Sequence, residues 1–155
     1  MTDVVSDPAT SLRLERSFEA PRNAVFDAWT DPEVLRRWWA AGPDWDTPAA
    51  EVDLRVGGRY RLSMRNPESG DVHTVVGEYT EVRAPERLAY TWTWEGGEEY
   101  SPSAGSLVTV DFVEDGPRTT VVLTHTGLGG DEAVERHRHG WIGCLDNLAR
   151  RVLAA

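Results

Sequence analysis

The chain has 155 residues, 40% of them hydrophobic and 27% charged, and carries a formal net charge of −10 at pH 7. That length supports one domain with a substantial core, and the acidic balance argues against a surface that tracks nucleic-acid phosphates. No apolar run approaches the roughly 18 residues of a membrane-spanning helix, the first ten residues lack the basic and apolar regions of a secretory signal, and the one cysteine, Cys144, has no internal disulfide partner, so the expected location is the cytoplasm.

Met1 to Ser11 is polar and aperiodic, which predicts a flexible tail over residues 1–11 and a single domain over 12–155. Leu12, Leu14, Arg16 and Phe18 then alternate as a first strand. Pro21 ends it and suits the first turn of a helix that carries Val25, Phe26 and Trp29 at helical spacing. Asp31 and Pro32, an N-cap and a first-turn proline, start a second short helix through Val34, Leu35, Trp38 and Trp39. Ala40 to Pro48 reads as a loop whose only large apolar residue is Trp45.

From Ala49 the period becomes two. Val52, Leu54 and Val56 form one strand, Gly57 and Gly58 a turn, and Tyr60, Leu62 and Met64 the returning strand. After a turn at Asn66 to Asp71 come a strand from Val72 to Val82, which contains Tyr79, and another with Leu88, Tyr90, Trp92 and Trp94. A loop from Gly96 to Gly105 leads to strands marked by Val108, Val110 and Phe112 and by Val121, Leu123 and His125, joined at Asp115 and Gly116. Asp131 to Leu153 is one amphipathic helix. Val134, His137, Trp141, Cys144, Leu145, Leu148 and Val152 make its apolar stripe, and Arg136, His139, Asp146, Asn147 and Arg150 face outward. The order predicts an α+β fold, a curved antiparallel sheet of six or seven strands wrapped around the long helix.

Little in this pattern carries chemistry. The glycines of Thr126 to Asp131 lie between strand and helix, but Glu132 takes the third glycine position of a dinucleotide loop and no parallel strand follows, so the stretch reads as a turn capped by Asp131. His137 and His139 project about 160° apart on a helix and share no metal, and no cofactor is expected. Cys144 on the buried stripe is an inert thiol. The run Tyr90 to Trp94 is either core or a pocket wall, and seven tryptophans against three phenylalanines keep the second possibility open.

Taken together, Ala20-Pro21 with Val25–Trp39 (VFDAWTDPEVLRRWW), Asp53–Leu62 (DLRVGGRYRL), Gly77–Val82 (GEYTEV), Pro85–Trp92 (PERLAYTW), Val108–Phe112 (VTVDF) and Gly140-Trp141 with Leu145 and Leu148 resemble the activator of heat-shock protein 90 ATPase homologue family. That family belongs to the START-like (SRPBCC, Bet v 1-like) helix-grip superfamily. The resemblance implies a cavity between sheet and C-terminal helix that related proteins use for lipids, polyketides or other apolar molecules. The expected function is therefore non-catalytic binding of a small hydrophobic or aromatic ligand. Its wall is drawn from Trp38, Trp39, Tyr60, Met64, Tyr79, Trp92, Trp94, Phe112, Trp141 and Cys144, with His125 and His137 as polar anchors. A cyclase- or hydrolase-like enzyme using a pocket histidine or acid is one alternative, and a chaperone-interacting stress-response module is another. Monomer and homodimer both stay open.

Overall fold

The computed structural model describes residues 10–95 and 106–153. Most of the expected tail and the whole Gly96 to Gly105 loop lie outside the described residues. Strand β1 (Leu12–Phe18) is followed by helices α1 (Arg22–Thr30) and α2 (Pro32–Trp38). Strands β2 (Asp46–Val52), β3 (Arg59–Arg65), β4 (Val72–Arg83), β5 (Arg87–Trp94), β6 (Ser106–Asp115) and β7 (Arg118–Thr126) come next, and α3 (Asp131–Arg151) closes the chain. The strands form one curled antiparallel sheet in the order β1-β7-β6-β5-β4-β3-β2. This is the α+β helix-grip arrangement: the inward residues of the sheet and the buried side of α3 share one core.

Local chemistry explains the helix starts. Asp31 accepts a hydrogen bond from the Glu33 amide at 2.9 Å, so it caps α2 as its sequence context requires. At α3 the expected cap is replaced. Gly130 occupies the N-cap position without a side-chain bond, and Asp131 and Glu132 sit in the first turn, where their charge complements the helix dipole.

Two further sequence expectations need correction. The second strand runs from Asp46 to Val52 instead of starting at Ala49 and continuing to Val56. It is an edge strand paired only with β3, and its register shifts between Asp46 and Ala49, which accommodates Pro48, a residue unable to donate to a ladder. Leu54 and Val56 alternate correctly but are exposed beyond its end, with nothing to bury them. The second correction is Asn147, which is fully buried instead of outward-facing. Its side-chain amide donates to the carbonyls of Ala40 (3.0 Å) and Gly42 (2.9 Å), tying the α2–β2 loop to α3. Arg151 continues that seam by donating to the carbonyls of Pro43 and Trp45, and Gly143 lies so close to the loop that a Cβ there would collide with the Ala41 carbonyl.

Candidate functional site: an aromatic cavity between sheet and helix

Three elements deliver the central side chains, each by its own periodicity. Trp92 and Trp94 are two apart on β5 and both face inward. His137, Trp141 and Cys144 follow one another at one helical turn on the buried side of α3, and His125 comes from β7. Trp92 is the hub of this cluster. Its ring centroid lies 5.2 Å from those of Trp141 and His125, 5.5 Å from Trp94 and 6.0 Å from Trp39.

The polar atoms of the cluster form two short chains. Trp141 Nε1–H donates to His125 Nδ1 at 3.1 Å. An indole nitrogen is a donor only, so the His125 proton sits on Nε2 and is given to Ser106 Oγ at 2.8 Å, whose hydroxyl donates to the Trp92 carbonyl at 3.2 Å. In the second chain Trp94 Nε1–H donates to His137 Nε2 at 3.0 Å, and His137 Nδ1–H donates to the Ala133 carbonyl at 2.7 Å. Both imidazoles are therefore neutral, with each ring nitrogen bonded inside the protein. Burial holds the His125 pKa well below its ordinary value, and neighbouring His137 adds to the effect. Burial lowers His137 as well, against an opposing contribution from its bond to Ala133. The Cys144 thiol is pushed up to about 12 by burial, opposed by a backbone hydrogen bond at Ala40, so it stays protonated and unreactive. The indole N–H of Trp92 is different: it is buried and has no hydrogen-bond partner among the described residues.

The neutral histidines have a consequence for stability. Their folded pKa values lie below the unfolded one, so the unfolded chain takes up protons first as pH falls. Stability is expected to be level above about pH 6.5 and to decline below it, by about 1.4 kcal/mol per pH unit for each imidazole that stays neutral. The stabilisation from the carboxylates with lowered pKa, Asp46, Glu81 and Glu95, is present across this range and is lost only at lower pH. Urea unfolding at pH 7.5, 6.5 and 5.5 measures the slope, and a flat profile would contradict the neutral assignment.

Beside the cluster opens a cavity of about 730 Å³. Met64, Trp92, Trp94, His137, Trp141 and Cys144 line it, together with Ala41, Gly42, Pro43 and Trp45 of the α2–β2 loop, His73 of β4, and the Glu135 to Asp146 side of α3. Of the side chains expected at a ligand, the other six lie elsewhere. Trp38 is packed on Trp29 and donates to the Ala28 carbonyl at 2.9 Å, and Phe112 rests between Phe26 and Trp29. Tyr60 and Tyr79 form a ring triad with Tyr90. Trp39 stands beside Trp92 and His125 beside Trp141, both in solid core. Sequence reasoning missed Trp45 and His73, whose rings run nearly parallel at 6.4 Å on the cavity wall. The available signal was Trp45 itself, a large apolar ring alone in a loop; nothing in the β4 pattern singles out His73. Among the described residues no group of His, Cys, Asp or Glu could hold a metal ion, and no helix is long and apolar enough to cross a membrane.

Residues 19–152 match the family described as activator of Hsp90 ATPase homolog 1-like protein. The chain belongs to that family. Solved structures agree with the assignment. A protein from Chromobacterium violaceum superposes with a TM-score of 0.79 at 27% identity, covering 90% of this chain and 94% of that one. The AHSA1 protein from Silicibacter pomeroyi gives a TM-score of 0.77 at 32% identity with the same coverage. An HSP90 activator from Plasmodium falciparum gives 0.68 at 28% identity, again over 90% of this chain and 94% of that one. A comparison with curated protein sequences finds no match. As a member of the AHSA1 family the chain shares this fold across nearly its whole length, and its cavity is made of its own side chains.

Proposed function

We propose that this AHSA1-family chain binds a small hydrophobic or aromatic ligand in the cavity between its sheet and α3, and performs no chemistry on it. The supporting observation is a space of about 730 Å³ walled by Met64, Trp92, Trp94, Trp141 and Cys144, a size and character suited to a small organic molecule. The two buried histidines hold their nitrogens in internal bonds, which favours a binding site over one that shuttles protons. Titration with N-phenyl-1-naphthylamine, an uncharged probe that fluoresces in apolar surroundings, tests the reading. Saturable uptake is expected, with quenching of the tryptophans and displacement by whatever molecule native mass spectrometry finds co-purified. No saturable uptake and no co-purified adduct would remove the ligand-binding reading.

A second reading is favoured by the likeness to the HSP90 activator from Plasmodium falciparum. Under it the chain acts as a co-chaperone-like module of the stress response and raises the ATPase rate of an Hsp90-class chaperone. Addition of the chain to the chaperone of its own cell measures this directly. With an exterior of net charge −10, stimulation through charged surfaces weakens as salt rises, and an unchanged ATPase rate at low salt would eliminate the module.

A further inference from the structure

Two strands stand at the ends of the sheet, β1 and β2, and their free edges differ. β2 carries Pro48 and a register shift between Asp46 and Ala49, devices that keep an edge strand from templating another. β1 has neither. Leu12–Phe18 contains no proline and pairs with β7 without a break, from Leu12 opposite His125 to Phe18 opposite Thr119. Among the described residues its backbone bonds only to β7, apart from the Phe18 carbonyl, which accepts the Ala20 amide. The amides and carbonyls of alternate residues of β1 therefore point away from the sheet.

The side chains of β1 divide by parity. Leu12, Leu14, Arg16 and Phe18 take the inner face, where Leu12 and Phe18 are buried, Leu14 packs against the core and Arg16 holds Asp146 of α3 at 2.8 Å. Arg13 and Glu15 are exposed on the outer face and pair with each other at 2.5 Å. A second copy of β1 laid antiparallel along this edge keeps inner side chains opposite inner ones only if the two-fold axis falls on a residue position. An axis at Arg13, Glu15 or Arg16 sets that charge against its own copy. An axis at Leu14 sets Arg13 opposite Glu15 of the second copy, Glu15 opposite its Arg13, and Arg16 opposite its Leu12.

We propose that the free edge of β1 associates with the same edge of a second copy of this chain, antiparallel about Leu14, joining two seven-stranded sheets. The Arg13–Glu15 pair contributes little on one exposed strand. Across the axis it becomes two cross-strand pairs, while the outward amides and carbonyls gain partners. Charges of one sign at these two positions would repel a second copy, whereas opposite charges make the edge complementary to itself.

Sedimentation velocity of the full chain over a broad concentration series at low salt tests the association. A monomer–dimer equilibrium is expected. Glu15→Arg sets arginines opposite each other at both pairs, Arg13→Glu does the same with glutamates, and each is expected to weaken dimerisation about tenfold or more. The double change Arg13→Glu with Glu15→Arg is expected to restore it, and an equimolar mixture of the two single variants to form a heterodimer, because each supplies the charge that the other lacks. Both side chains are exposed, and circular dichroism checks that the variants keep their fold. Amide hydrogen exchange in β1 is expected to slow as concentration rises while exchange in β2 stays the same. A chain that remains monomeric throughout, a dimer indifferent to the single changes, or single changes that the double change does not rescue would each overturn the proposal. Exchange in β1 that is independent of concentration would overturn it as well.

Discussion

Trp141→Ala is expected to remove about 3–5 kcal/mol of folding stability, the range for deleting a large aromatic from a packed core. The residue is 2% exposed, its ring sits 5.2 Å from that of Trp92, and it lies where α3 crosses the sheet. Deletion also strips His125 Nδ1 of its donor at a position with no exposure, adding the penalty of an unpaired buried acceptor. For a domain of this size the loss corresponds to roughly 10 °C or more in Tm, a large part of typical domain stability. Circular dichroism during urea and thermal unfolding measures it without depending on tryptophan emission. Under the proposed ligand-binding function, uptake of the apolar probe is expected to fall in parallel, because Trp141 is part of the cavity wall. Full retention of stability would mean that α3 is not packed on the sheet through this residue.

The two interior glycines of α3 are expected to respond in opposite directions. In an exposed helix, glycine to alanine stabilises by about 1 kcal/mol. Gly140 follows this rule, since an added Cβ would meet only the Ala41 Cβ at 3.9 Å, an ordinary contact, and Gly140→Ala is expected to gain stability up to that amount. Gly143 reverses it. Its added Cβ would strike the Ala41 carbonyl, a backbone group held between the Ala40 and Gly42 carbonyls bound by Asn147. Gly143→Ala is expected to lose about 1–3 kcal/mol net, the cost of forcing volume into a closed contact, and to displace the loop that carries Trp45 along the cavity. Paired unfolding measurements on the two variants decide the matter. A similar response from both would show that the loop does not lie against Gly143.

The contrast between these glycines illustrates what could and could not be read from the chain. Both stand in one helical pattern and carry the same intrinsic penalty, and only the crossing of a distant loop separates them. Asn147 makes the same point. A helical wheel assigns it an angle away from the apolar stripe, but the wheel contains no information about what lies opposite that angle. There the α2–β2 loop covers the helix and supplies two carbonyls, so the amide is buried and satisfied. Pro48 and the residues after Val52 show the converse, a strand pattern that continues through Leu54 and Val56 where no partner surface exists.

Local periodicity determined the α+β class, the chain order of the strands and their number to within one, the two short helices and the inward stripe of α3, because side-chain direction repeats every two residues in a strand and every 3.6 in a helix. It likewise placed Met64, Trp92, Trp94, His137, Trp141 and Cys144 on inward faces. Tyr60, Tyr79 and Phe112 occupy inward faces by the same rule, and only the tertiary structure separates them from the cavity. Phe26 and Trp29 of α1 cover Phe112, and Tyr60, Tyr79 and Tyr90 fill the space among themselves, whereas the space beside Trp92 and Trp94 stays open. Which face a residue takes is a property of its own segment; whether that face meets another side chain or empty volume depends on how segments far apart in the chain are brought together.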